Sequence, residues 1–199
     1  AQSVGRDPGS VTLVAVSKTR SAEEIAAAYA AGARDFGENY VQELVGKSTA
    51  LRDLPDLRWH FIGHLQRNKV KAVAGLCTLI HSVDSLRLAE ALSARAEAVG
   101  RVQPILLQVD LAGEATKSGC PVSELDELVA GVMNLPGLDW QGLMTITPLV
   151  ADPEAARPYY RALAAVAERL RAQGVAPGHL RHLSMGMSND YEVAITEGA

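Results

Sequence analysis

Val11-Thr12-Leu13-Val14-Ala15-Val16-Ser17-Lys18-Thr19 is an apolar run that ends abruptly in a lysine. Gly9 and Ser10 precede it and a helix start follows, so the run reads as a buried parallel strand. Lys18 then stands at the C-terminal mouth of that strand. In sheets and barrels of alternating strands and helices, ligands bind at this end, which makes a lone amine there a candidate chemical group. The bland alternative is a lysine that reaches solvent along its aliphatic stem.

Outward from this stretch the pattern repeats. Ser21-Ala22-Glu23-Glu24 has the spacing of a capping box, and the alanine-rich helix behind it should stop near Gly32. A short strand is expected at residues 35–39 and a helix at 40–50, with Val41, Leu44 and Val45 at helical spacing. Pro55 breaks the chain before a strand at 58–64 and a helix at 65–74. A fourth strand at 79–83 leads to Asp84, the expected cap of a helix over 85–99. A fifth strand at 104–110 is followed by a helix capped by Ser123, with Leu125, Leu128, Val129 and Val132 as its buried stripe. Strand 140–146 precedes a long helix at 153–173. Strand 181–186 precedes a last helix capped by Ser188 or Asn189 and stopped at Gly198.

Seven strand-then-helix units without an internal linker imply one domain over residues 1–199, a parallel sheet with helices outside. An open doubly wound sheet and a (β/α)8 barrel lacking its last strand both fit, and both put the site at the C-terminal strand ends. Composition narrows the chemistry. The net charge is -4 with lysine and arginine dispersed, so no basic stripe points to nucleic acid or a membrane surface. Cys77 and Cys120 have no metal-ligand or redox spacing, which suits a reduced, cytoplasmic protein. There is no signal-like N-terminus, and no apolar run approaches the roughly 20 residues of a membrane span.

The strand ends supply Lys18, Glu38, Asn39, His64, His81, Ser82, Asp110, Thr145, Thr147 and the run Ser184-Met185-Gly186-Met187-Ser188. That last run combines small residues, one glycine and a helix start, which is what a phosphate needs: converging N–H groups, a hydroxyl and a favourable helix end. One lysine and one phosphate cradle across a barrel mouth are the minimum equipment for holding pyridoxal 5′-phosphate (PLP). The amine attacks an aldehyde only when neutral, so an apolar strand end beside Arg20 is expected to favour the uncharged form. Residues 113–118 are no Walker loop, because Thr116 stands where a glycine should precede the lysine. Lys117 reads as a loop charge. His60, His64 and His81 lack a carboxylate at ligand spacing, and His60 lies deep in its strand, so no metal site is expected. Ser17 is no nucleophile for Lys18, since consecutive strand residues point to opposite faces.

Taken together, Ala15-Val16-Ser17-Lys18-Thr19, Phe36-Gly37-Glu38-Asn39-Tyr40, His60-Phe61-Ile62-Gly63-His64-Leu65-Gln66-Arg67-Asn68-Lys69, His81-Ser82-Val83-Asp84, Lys117-Ser118-Gly119, Gly142-Leu143-Met144-Thr145-Ile146 and Leu183-Ser184-Met185-Gly186-Met187-Ser188 resemble the pyridoxal phosphate homeostasis proteins, single-domain relatives of the alanine racemase barrel. The resemblance spans nearly the whole chain. It implies a (β/α)8 TIM barrel of the alanine racemase N-terminal type, with Lys18 forming the imine to PLP and Ser188 helping to bind its phosphate. Asn39, Met185, Gly186 and Met187 would line the cofactor site. Family members also carry a helix before the first strand and an eighth strand beyond residues 197–199 that completes the phosphate site. The sequence given stops before that eighth strand, either as a fragment or with its ends omitted; if the strand is truly absent, a gap between the first and last strands and a weakened hold on the cofactor are expected.

The same resemblance implies a carrier that buffers and delivers PLP and maintains vitamin B6 and amino-acid and keto-acid balance. No catalytic residue is assigned, because racemases of this kind take their second base from an added domain. A weak PLP-dependent racemase or lyase is the alternative, and a cofactor-free Schiff-base aldolase is a third possibility. Apo PLP-dependent enzymes are the expected partners of a monomeric protein that binds neither nucleic acid nor membrane.

Overall fold

The computed structural model describes residues 1–113 and 118–199. Its parallel strands are curled into a half-barrel with the helices outside. The strands are β1 (Ala15–Val16), β2 (Asp35–Glu38), β3 (Arg58–Phe61), β4 (Leu79–Val83), β5 (Gln103–Asp110), β6 (Cys120–Pro121), β7 (Leu138–Met144) and β8 (His182–Ser184). They are hydrogen-bonded in the order β1-β2-β3-β4-β5-β7-β8, with β6 added to the end of β5. All seven expected strands are present, and β6 is a two-residue addition that the sequence did not announce.

The helices are α1 (Ala22–Ala30), α2 (Val41–Ala50), α3 (Val70–Val73), α4 (Leu86–Ala98), α5 (Leu125–Val132), α6 (Arg157–Ala172) and α7 (Tyr191–Thr196). The capping box of α1 is formed as expected: Ser21 Oγ accepts from the Glu24 amide, and Glu24 accepts from the Ser21 amide at 2.8 Å. Other caps differ. Ser85 rather than Asp84 occupies the cap of α4, Glu124 rather than Ser123 that of α5, and Asp190 rather than Ser188 or Asn189 that of α7, none with a side-chain cap bond. The expected helix over 65–74 is shortened to α3 after a 3-10 turn at Arg67–Lys69, and α6 follows another at Pro153–Ala156.

Alternation along the strands divides the interior in two. On the helix side, Phe36, Trp59, Phe61, Ile80, Ile105, Leu107, Trp140 and Leu143 pack against Ile25, Leu44, Leu92 and Leu163 in one continuous core. On the concave side, Leu79, Leu106 and Met144 form a small apolar floor, and His60 and His81 are buried beside it. Among the described residues no helix is long and apolar enough to cross a membrane.

The opening stretch departs from its reading. Only Ala15 and Val16 are strand, and Leu13 is 80% exposed. The reason is topological: β1 is the first strand in the hydrogen-bonded order and has a neighbour only in β2. Among the described residues no strand pairs with its other side.

Two glycines test the packing. A Cβ on Gly142 would lie 2.0 Å from the His182 carbonyl oxygen, whereas one on Gly46, inside α2, would meet nothing within 4 Å. Gly142→Ala should push β8 from β7 and destabilise by about 3 kcal/mol. Gly46→Ala should stabilise by about 0.5–1 kcal/mol. Urea unfolding of both variants checks the pair.

Candidate functional site

Lys18 sits in a tight turn just beyond β1, closed by the Arg20 amide donating to the Ser17 carbonyl at 3.0 Å. Thr19 adopts φ 64°, a left-handed conformation costly for a residue with a branched Cβ. α2 holds it there. The Thr19 amide donates to Glu43 Oε2 at 2.8 Å, and Lys47 Nζ donates to the same oxygen at 2.6 Å, to the Ser17 carbonyl at 2.7 Å and to Glu38 Oε1 at 2.7 Å. Ser17 Oγ also donates to Glu38 Oε1 at 2.6 Å. Burial opposes the Lys47 charge, but the hydrogen bonds to Glu38 and Glu43 outweigh it and raise its pKa. Lys47 holds the Glu43 carboxyl below its ordinary value, with the Thr19 amide adding to the effect.

The consequence is a division by face. Ser17, Glu38 and Lys47 are buried behind the turn with Glu43 bonded to Lys47, while Lys18, one residue on from Ser17, is exposed. Glu38, expected at the mouth, is instead fully buried behind it. Lys18 is exposed, and among the described residues no carboxylate lies within ion-pair distance of it. Among the described residues the apolar surroundings expected for its amine are not formed, and Arg20 is paired with Glu24 at 3.2 Å.

Asn39 follows β2 directly, half-buried, with its Oδ1 buried and without a hydrogen-bond partner. Its main chain lies against Gly63, where a Cβ would come within 2.1 Å of the Asn39 carbonyl oxygen. At the end of β8, Gly186 has φ +99°, and a Cβ there would stand 2.8 Å from the Ala194 Cβ. Only glycine lets the chain pass this close to α7. The Met187 amide donates to the buried Asp190 carboxylate at 2.6 Å, so it is not free for a ligand. Among the described residues the amides of Ser188 and Asn189 have no protein acceptor. Ser188 is exposed, and Met187, Ser188 and Asn189 border a shallow hollow with Leu149, Val150 and Ala151. Met185 packs its side chain on the core.

The remaining strand-end residues serve several local tasks. Asp110 accepts from the amides of Ala112 and Gly113 at 3.0 and 2.9 Å, and Thr145 donates to the Val109 carbonyl at 3.0 Å. Ser82 and Thr147 are buried with unpartnered hydroxyls. His64 meets Ser118 Oγ at 2.8 Å and Asp84 at 3.6 Å, both through Nδ1, so the three do not form a nucleophile, base and orienter. Thr116 and Lys117 lie outside the described residues. Among those described, no three His, Cys, Asp or Glu side chains converge as a metal ion would need.

His60 and His81 belong to a chain of contacts across the concave face. Arg58 holds Asp35 through two hydrogen bonds of 2.7 and 2.6 Å, Asp35 meets His60 Nε2 at 2.9 Å, His60 Nδ1 meets His81 Nε2 at 2.9 Å, and His81 Nδ1 meets Ser184 Oγ at 2.7 Å. Arg58 holds the Asp35 carboxyl below the ordinary value. Burial lowers both imidazoles, His81 the more strongly, with the Asp35 hydrogen bond working against the shift at His60. This network and the Lys47 cluster both escaped the sequence reading. Glu43 and Lys47 do stand four apart on one helix, a visible pairing signal. Nothing local links residues 60, 81 and 184.

Two consequences are measurable. Lys47→Met leaves Glu38 buried without its cation and should cost about 3 kcal/mol in urea unfolding. Gln at Glu38 in addition should recover much of that loss. The imidazoles set a pH dependence. Above about pH 6.5 both folded and unfolded chains keep them neutral; below it the unfolded chain takes up protons that the folded chain refuses. Stability should therefore fall between pH 6.5 and 5.5, by up to about 1.4 kcal/mol per pH unit for each ring. His81→Gln should flatten that slope.

Comparison with known proteins adds the lineage. Residues 3–195 match the alanine racemase N-terminal domain. The chain is 46% identical over 196 residues to the pyridoxal phosphate homeostasis protein of Aquifex aeolicus, covering 98% of this chain and 84% of that one. It is equally identical, over 199 residues, to the protein of the same name from Pseudomonas aeruginosa, covering all of this chain and 84% of the other. The solved structure of PipY from Synechococcus elongatus with PLP bound is 41% identical and superposes with a TM-score of 0.90, covering 98% of this chain and 90% of PipY. An alanine racemase of Clostridium difficile, 14% identical with a TM-score of 0.70, shares the fold over 92% of this chain and half of its own. The chain belongs to the pyridoxal phosphate homeostasis protein family.

Proposed function

We propose that this protein binds PLP through Lys18 and serves as a carrier that buffers the cofactor and releases it to apo PLP-dependent enzymes in the cytoplasm. The observation that carries the reading is the turn of residues 17–20. A left-handed threonine and a buried charge cluster on α2 fix the backbone on both sides of Lys18 while leaving the amine itself exposed. The family's own PLP-bound member, PipY, supports the choice of ligand.

The residues present fit the group. Asn39 carries a buried, unpartnered oxygen beside the mouth, and the Gly186 passage leads to the amides of Ser188 and Asn189 and the Ser188 hydroxyl, which suit a phosphate. Met187 would add an apolar wall, and Met185 and Gly186 would contribute through their main chain. When bound, PLP supplies an electrophilic aldehyde and an electron-withdrawing ring. Lys18 Nζ would hold that aldehyde carbon as an imine, with water released.

Exchange rather than turnover suits this arrangement. Among the described residues the amine is exposed, within reach of free amines. Relatives named for homeostasis, not for a reaction, agree with a carrier.

Mixing the protein with PLP should produce a new visible absorbance band, and borohydride reduction with peptide mapping should place the pyridoxyl group on Lys18. Lys18→Ala should lose both. Adding an apo PLP-dependent enzyme should drain the band and restore that enzyme's activity. An adduct on Lys47, Lys69 or Lys71 instead would sink the assignment. Steady loss of one alanine enantiomer, abolished by Lys18→Ala, would replace the carrier with a weak racemase.

A further inference from the structure

We propose that Asp35, acting through His60 and His81, fixes Ser184 as a hydrogen-bond acceptor toward the mouth, making it a positioning residue that admits a donor group of the ligand and turns away an anion. The inference rests on the PLP reading for the ligand's identity but not for the direction of the hydrogen bonds.

The direction follows from one end. Asp35 is clamped by two donors of Arg58, so its carboxylate is ionised and can only accept. His60 Nε2, 2.9 Å away, must then carry a proton. A neutral imidazole has one N–H, so His60 Nδ1 accepts and His81 Nε2 must donate to it across 2.9 Å. By the same rule His81 Nδ1 accepts, and Ser184 Oγ donates its only proton inward across 2.7 Å. Neutrality of both rings is supported by their burial, 5% and 3% exposed, and by the lowering of both above the effect of Asp35. The other groups near this chain, Arg58 and His182, are cationic or titrate to a cation, and each further disfavours a second proton on His60 or His81.

Ser184 is therefore left with lone pairs alone for whatever approaches the half-buried end of β8. It immediately precedes the Met185-Gly186-Met187-Ser188 run, yet it cannot donate to a phosphate. That task is left to Ser188 and the main chain beyond it. Ser184 instead accepts from a hydroxyl or N–H of the ligand. Reversal of the relay would convert the same oxygen into a donor, so a buried carboxylate at the far rim decides the polarity of a group at the mouth.

The ring protons can be read directly. In protein labelled with 15N-histidine, without ligand and at pH 7.5, long-range 15N–1H spectra should show His60 and His81 each protonated at Nε2 and bare at Nδ1. A proton on His81 Nδ1, or two protons on either ring, overturns the proposal without need of any variant. In Asp35→Asn the amide can donate to His60, and a share of both rings should move their proton to Nδ1. Titration with PLP should then show Asp35→Asn and Ser184→Ala each binding about five- to tenfold more weakly, with the double variant no worse than either alone. Wild-type affinity in Asp35→Asn overturns the proposal. Should the wild type itself bind no PLP, the PLP reading falls and the ring protons alone decide the direction of the relay.

Discussion

The Lys47 ammonium is the constraint on which the mouth depends. It is withdrawn from water into contact with two carboxylates and a main-chain carbonyl, and the cost of moving it there is recovered only if all three partners keep their positions. Glu38 is fixed by β2, Glu43 by α2 and the Ser17 carbonyl by the end of β1, so one amine ties together three elements. That tie offsets the left-handed Thr19, which a short edge strand alone would not hold. The turn is thereby rigid in backbone and free in side chain, which is the combination that an amine needs if it must be found easily and released again.

Position in the sheet explains why the burden falls on α2. A strand in the middle of a parallel sheet has hydrogen bonds on both sides, while β1 has them with β2 only. The strand contributes just two ladder residues here. Ionic and main-chain contacts from α2 fix its C-terminal end.

Much of this was legible in the sequence because it is periodic. Every strand of the half-barrel except β6 was placed by the alternation of strand and helix patterns, and the capping box of α1 by Ser21 and Glu24. The glycine at 186 and the lysine at 18 stood out because each breaks its local pattern. Caps were less legible: Asp84 and Ser85, Ser123 and Glu124, and Ser188, Asn189 and Asp190 offer competing residues within one or two positions, and the tertiary path of the chain selects among them. The burial of the first strand was misread because hydrophobicity records what a residue would prefer, not whether a neighbour is present. The Asp35 to Ser184 relay had no local signal at all, since its four side chains come from four strands and meet only when the sheet curls.

The two polar networks use opposite electrostatic strategies, and the sheet separates them. Behind the strands, full charges are paired because the helix α2 brings a compact set of acceptors to one amine. Within the curl, a charged group would face Leu79, Leu106 and Met144, with too few dipoles to replace its hydration. Neutral imidazoles solve this, each donating once and accepting once, and they carry the influence of the Asp35 charge toward Ser184 without carrying the charge itself. Charge is thus kept at the Arg58 rim, where the guanidinium remains half in water, and only hydrogen-bond direction crosses the interior. A site arranged in this way distinguishes its ligand's donors from its acceptors while leaving Lys18 exposed.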